Sequence, residues 1–176
     1  MDEYETLAGG KYPGVITGKP VGMGGSIGRT QATGYGVVYV LESLLKELNL
    51  DPAQTSASIQ GFGNVAEYAA RLYTSLYKEE GSESEKVAGI KDSFGGIDKV
   101  KAKEMGIELL AGDAWLAQDV DIIIPAALEN QITPAVFPNI SKQVKIICEA
   151  ANGPTTPDCD KLIQERGIVL LPDFLT

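Results

Sequence analysis

Ser56-Ala57-Ser58-Ile59-Gln60-Gly61-Phe62-Gly63-Asn64-Val65-Ala66 sets a short strand-like run directly ahead of a G-x-G-x-x-A turn, and the turn opens a helix. A dinucleotide-binding turn requires this setting. The first glycine permits a sharp bend, the second lets backbone N–H groups approach a pyrophosphate, and the third position must be small so that helix and strand pack closely. Ala66 meets the third condition. The anion then lies at a helix N-terminus, where unsatisfied N–H groups and the positive end of the helix dipole favour it. Glycines also mark ordinary turns, so the motif draws its meaning from what surrounds it.

Downstream, Val65, Ala69, Leu72 and Leu76 recur at helical spacing, which predicts an amphipathic helix lying on a sheet. A second apolar run, Val87-Ala88-Gly89-Ile90, ends at Lys91-Asp92-Ser93. Asp92 is thereby placed at the tip of a second strand, where a carboxylate accepts hydrogen bonds from the adenine ribose hydroxyls. The separation exceeds the roughly 20 residues of the usual fingerprint. The polar stretch Lys78 to Glu85 accounts for the excess as an exposed loop. Asp92 and Ser93 also suit a plain turn cap, since both residue types favour turns.

Further apolar runs at Asp121-Ile122-Ile123-Ile124-Pro125, Val144-Lys145-Ile146-Ile147-Cys148 and Ile168-Val169-Leu170-Leu171-Pro172 are continuous rather than alternating. Strands buried on both faces read this way. Helical stretches are expected over Val37, Val40, Leu41, Leu44, Leu45 and Leu48, near Ile97 to Met105, and over Pro157 to Arg166. The alternation predicts an α/β fold, a doubly wound, mostly parallel Rossmann-type sheet with helices on both faces. One domain is expected over residues 1–176. Residues 1–30, punctuated by glycine and proline, read as a loop-rich lead with at most one short strand, and residues 31–176 as the core. Ligands of such sheets bind beyond the carboxyl ends of the strands. There the chain carries Pro125-Ala126-Ala127 and Glu149-Ala150-Ala151-Asn152-Gly153-Pro154. The small residues leave room for a flat ring, and Asn152 offers donor and acceptor to a carboxamide or ribose. Asn152-Gly153-Pro154 also fits a simple turn.

Composition excludes several classes of function. A net charge of −9 disfavours nucleic acid and anionic membrane partners. No apolar run approaches the ~18 residues of a membrane span, and the start Met1-Asp2-Glu3-Tyr4-Glu5 is acidic, so a soluble, cytoplasmic protein is expected. The absence of histidine rules out a Ser-His-Asp triad, a Cys-His pair and histidine-based metal sites within these residues. Cys148 and Cys159 fall in separate expected elements and read as reduced, packed thiols, and no metal site is expected.

The motifs taken together resemble a known family. Thr17-Gly18-Lys19-Pro20, Gly24-Gly25-Ser26-Ile27-Gly28-Arg29, Ala32-Thr33-Gly34-Tyr35-Gly36-Val37, the Gly61 to Ala66 turn, Pro125-Ala126-Ala127-Leu128-Glu129, Ala151-Asn152-Gly153-Pro154-Thr155-Thr156-Pro157 and Leu171-Pro172-Asp173 follow the order of the coenzyme-binding domain of glutamate dehydrogenase. The resemblance covers nearly the whole chain. It implies oxidative deamination of L-glutamate to 2-oxoglutarate and ammonia with hydride transfer to NAD or NADP, in a hexameric parent. It also implies residue roles: Arg29 and Thr33 near the nicotinamide and its amide, Gly61, Phe62, Gly63, Asn64 and Val65 around the pyrophosphate, and Asp92 and Ser93 at the adenine ribose. Ala126 and Ala127 would meet the cofactor's midsection, and Asn152 the nicotinamide ribose. Lys19 reads as structural, because it belongs to the Thr17 to Pro20 turn rather than to the family's catalytic-lysine motif.

There are departures from the family pattern. The catalytic lysine, catalytic aspartate and most glutamate-binding residues belong to an N-terminal domain not found in this sequence. The asparagine-containing segment that follows Pro-Asp in the family is missing, and Gly95 to Asp119 is shorter than usual. The chain therefore reads as an excised coenzyme domain starting at Met1, expected to bind cofactor without catalysis, and to meet glutamate or 2-oxoglutarate only with the other domain. Leucine, valine and phenylalanine dehydrogenases share the cofactor domain and are the sibling alternative. A non-catalytic interaction or regulatory domain on the same fold is the alternative of another class. Asp92 disfavours the 2′-phosphate of NADP and so predicts NAD, against a counter-pull from Lys91, Lys99 and Lys101.

Overall fold

The computed structural model describes residues 2–77, 87–91 and 104–176. Six strands, β1 (Ala57–Gln60), β2 (Val87–Lys91), β3 (Leu109–Leu110), β4 (Ile122–Pro125), β5 (Ile146–Cys148) and β6 (Val169–Leu171), form one sheet in the order β3-β2-β1-β4-β5-β6. Every pairing is parallel. β1 pairs with both β2 and β4, so the strand order reverses between β1 and β4. This is the doubly wound order expected, with β3, too short to register as an apolar run, added at the edge.

The continuous apolar runs divide residue by residue between the two faces of the sheet. Ala57, Ile59, Ile122, Ile124, Ile146, Cys148 and Leu171 join one core, whereas Ile123 and Ile147 join the other. The first core is closed by α2 (Arg29–Glu47) and α3 (Asn64–Tyr77), which cross on that face. The opposite core is built from Trp115, Leu116, Phe137, Ile140, Cys159 and Ile163 among others. Among the described residues it is covered by irregular chain, single 3-10 turns at Phe137–Asn139 and Pro157–Cys159, and the six-residue α4 (Asp160–Glu165). The expected helix over Pro157 to Arg166 is thus a 3-10 turn running into a short α-helix.

Three expectations are corrected. The lead segment, expected as loop with at most one short strand, contains α1 (Asp2–Ala8) and 3-10 turns at Pro13–Val15 and Val21–Met23. α2 begins inside that lead, at Arg29. In α3 the buried stripe is Ala66, Ala69, Ala70 and Tyr73, with Val65 and Leu72 only half-buried and Leu76 exposed. The stripe is rotated because α3 rests on α2 as well as on the sheet, and the crossing selects small residues. Gly34 of α2 lies so close that a Cβ there would stand 2.6 Å from the Val65 carbonyl oxygen and 2.9 Å from the Ala69 nitrogen. The expected loop from Lys78 to Glu85 and nearly all of the expected helix near Ile97 lie outside the described residues.

Candidate functional site

β1 delivers the chain into the turn. Gly61 takes φ +85°, a conformation open to glycine, and a Cβ there would stand 2.9 Å from the Ala127 Cβ. Gly61 is therefore required both by its dihedral and by close approach to the segment after β4. The amide of Ala126 donates to the Gln60 carbonyl (3.1 Å), which holds that approach. At Gly63 the space is open, with no heavy atom within 4 Å of a built Cβ. α3 starts at the next residue, Asn64. Its first-turn N–H groups have no partners within the helix and carry the positive end of its dipole. A bent glycine, an open glycine and a helix start in succession fit a pyrophosphate, and the residues present suit a dinucleotide.

The structure brings most of the sequence-derived residues to this carboxyl edge. Asn64 directs its Nδ2 to the Thr30 carbonyl, so the first turn of α2 abuts the first turn of α3. Arg29 and Thr33, one helical turn apart in α2, are both exposed there. Arg29 contributes a cation. Glu67, the acidic residue in the first turn of α3, bonds to Arg71 (3.0 Å). Val65 is half-buried, and Ala126 and Ala127 line the β4 side of the turn. Phe62 is buried in the core, so only its backbone faces the site. Lys91, the last residue of β2, pairs with Gln60. Asp92 and Ser93 lie outside the described residues. Lys19 donates its Nζ to the carbonyls of Pro13 and Ile16, as a structural lysine does.

Asn152 is exposed beyond β5, in a loop bound at several points. Asn130 and Gln131 of the β4 side donate backbone N–H groups to the Gly153 and Pro154 carbonyls (3.0 and 2.7 Å). Four residues of this region went unread in the sequence. Gln60, fully buried at the end of β1, donates its amide to Gln131 Oε1 (2.7 Å). Glu149 is also buried, and its carboxylate accepts from the backbone N–H groups of Thr155 and Asp173. Asp173 in turn accepts from the Gly153 N–H (2.8 Å). The signal for Glu149 was present as an acid set among apolar and small residues at a strand end.

Neither cysteine offers a nucleophile. Both are free and buried, Cys148 in one core and Cys159 in the other. Burial, with the neighbouring Glu149 carboxylate, pushes the Cys148 thiol up to about 12. Burial also raises Cys159, helped by Asp158 and Asp160 and opposed by the hydrogen bond with Thr156. Both stay protonated at neutral pH. Among the described residues no group of His, Cys, Asp and Glu could hold a metal ion, and no helix is long and apolar enough to cross a membrane.

Residues 24–176 match the family model of the Glutamate/Leucine/Phenylalanine/Valine dehydrogenases. The chain belongs to that family. It is 40% identical, over its whole length, to an NAD-specific glutamate dehydrogenase of Clostridioides difficile, and 38% identical over 99% of its length to a glutamate dehydrogenase of Thermotoga maritima. It spans less than half of each relative, 45% and 44%. Among solved structures, the hetero-hexameric glutamate dehydrogenase of Thermus thermophilus superposes with a TM-score of 0.79 at 27% identity, covering 98% of this chain and 42% of that one. The glutamate dehydrogenase of Peptoniphilus asaccharolyticus gives 0.69 at 37% identity.

Proposed function

We propose that these 176 residues are the dinucleotide-binding part of an NAD-dependent glutamate dehydrogenase. The observation that carries the reading is the Gly61 to Asn64 turn, placed where the strand order reverses and closed against Ala127. That is where a doubly wound sheet binds a dinucleotide. The turn and the start of α3 would hold the pyrophosphate, Arg29 and Thr33 the nicotinamide end, Ala126 and Ala127 the midsection, and Asn152 the second ribose. A nicotinamide dinucleotide bound there supplies hydride transfer. The protein's part is to orient it and to keep one ring face against small side chains. The names of the relatives support glutamate as the parent's substrate, NAD as its cofactor and an oligomeric parent.

Titrating NADH into the chain and following its fluorescence tests the reading. Saturable binding is expected below millimolar concentrations, and its absence in a folded sample would overturn the assignment. Cofactor choice rests on Asp92, whose carboxylate suits two ribose hydroxyls and repels a 2′-phosphate. NADH is expected to bind up to about tenfold tighter than NADPH at fixed salt, a difference of roughly 1 kcal/mol. Asp92→Ala should narrow that gap; an unchanged ratio would show that this aspartate does not select the cofactor.

A further inference from the structure

We infer that Glu149 and Asp173 are positioning residues for the nicotinamide half of the site, a pair of carboxylates that fix the loop carrying Asn152. The inference rests on the dinucleotide reading above. In a sheet of this order the β1-β2-β3 half takes the adenosine, so the β4-β5-β6 half takes the nicotinamide riboside. Glu149 stands at the carboxyl end of β5 and Asp173 just beyond β6, both in that second half.

The two side chains bracket one loop. Asp173 Oδ2 accepts from the Gly153 N–H (2.8 Å), and Glu149 Oε1 accepts from the Thr155 N–H (3.2 Å), so the chain is held just after Asn152 and again two residues later. Glu149 Oε2 accepts from the Asp173 N–H (3.2 Å), which ties one carboxylate to the residue that bears the other. The backbone of Glu149 closes the arrangement: its N–H donates to the Leu171 carbonyl (2.9 Å) and its carbonyl accepts from Thr176 Oγ1 (2.8 Å). Glu149 is only 5% exposed. A carboxylate is removed from water only where its acceptors are met, and here backbone donors on two different segments meet them. Gly153, held by Asp173, sits at φ +50°. Asn152 itself is exposed.

The chemistry makes the two positions separable. Glu149 must accept with both oxygens, and Gln would turn an NH2 donor toward one of the two N–H groups. Asp173 accepts from Gly153 with one oxygen, which Asn can also supply. The test measures dissociation constants for NADH and for ADP, which carries the adenosine and pyrophosphate but not the nicotinamide riboside. Glu149→Gln and Asp173→Ala are each expected to weaken NADH about tenfold while changing ADP less than twofold, and Asp173→Asn to recover NADH affinity to within about threefold of the native chain. Parallel losses for both ligands, or no loss for NADH, in the Asp173→Ala protein would overturn the proposal. That substitution lies at the half-buried rim and leaves the cores intact, so the test stands even where Glu149→Gln lowers stability. Failure of the native chain to bind either ligand would instead remove the dinucleotide reading.

Discussion

Gly61 and Gly63 share one turn and are needed for different reasons. At Gly61 an added Cβ meets both a left-handed φ and the Ala127 side chain at 2.9 Å. Gly61→Ala should therefore cost about 1–3 kcal/mol of folding free energy in urea denaturation. At Gly63 neither penalty applies, because the space is open and φ is not positive. Gly63→Asp should leave stability within about 0.5 kcal/mol of the native chain and abolish NADH binding, since a charged side chain would occupy the approach of the pyrophosphate. Equal destabilisation by the two changes, or NADH binding that survives at Gly63→Asp, would contradict the distinction. Both glycines were legible in the sequence because the motif encodes a backbone requirement. Phe62 between them was not: nothing in its spacing distinguishes a ligand contact from the core position it fills. Glu149 and Asp173 were missed for a related reason. Their partners are backbone N–H groups of a loop and a chain segment that become neighbours only in the assembled sheet.

Among the elements, the crossing of α2 and α3 sets the shape of the site, because it fixes where each helix begins. Gly34 sits at the contact, and a Cβ there would stand 2.6 Å from the Val65 carbonyl oxygen, 2.7 Å from Tyr68 Cβ and 2.9 Å from the Ala69 nitrogen. Inside a helix Gly→Ala ordinarily gains about 1 kcal/mol in propensity. Two of those neighbours are backbone atoms that cannot rotate away, so strain should win. Gly34→Ala is expected to destabilise by about 1–3 kcal/mol and to weaken NADH binding severalfold by pushing the first turn of α3 off the β1 end. A stabilised variant with unchanged NADH affinity would show that the crossing has slack. The core strands β1, β4, β5 and β6 were readable, since strands buried on both faces announce themselves as unbroken apolar runs. The buried stripe of α3 was not read correctly. Periodicity selected Val65, Ala69, Leu72 and Leu76, of which only Ala69 is buried; the close crossing over Gly34 buries Ala66 and Ala70 beside it in place of the bulkier three. α1 escaped notice because Leu7 and Tyr4 are exposed rather than set on a core face.

In the whole molecule the two edges of the sheet differ, with the proposed dinucleotide turn at the carboxyl edge and an ionic tie at the amino edge. Asp121, ahead of β4, accepts from Lys145 Nζ (2.8 Å), ahead of β5, and from the backbone and hydroxyl of Ser56, ahead of β1. Burial alone would raise the Asp121 pKa, but the Lys145 bond and charge and the Ser56 bonds outweigh it and hold it below the ordinary 3.8. A depressed folded-state pKa stabilises above the unfolded value and is lost as pH falls through the folded one. Asp121→Asn should thus cost about 1–3 kcal/mol near pH 7, with the gap from the native chain closing below pH ~3.8; a gap independent of pH would assign the loss to packing. Ligand binding at the opposite edge should stabilise the whole chain, because the turn, α2 and the β5 loop are all joined to the same two cores. With NADH at ten times its dissociation constant, linkage adds about 1.4 kcal/mol, which for a domain of this size raises Tm by roughly 3–6 °C. Gly63→Asp should show no such rise, and glutamate added to the NAD-loaded chain is expected to produce no NADH absorbance, because the motifs read in these residues are those of a coenzyme domain and do not include the family's catalytic-lysine motif. Turnover of glutamate by these 176 residues alone would show that the site holds both halves of the reaction.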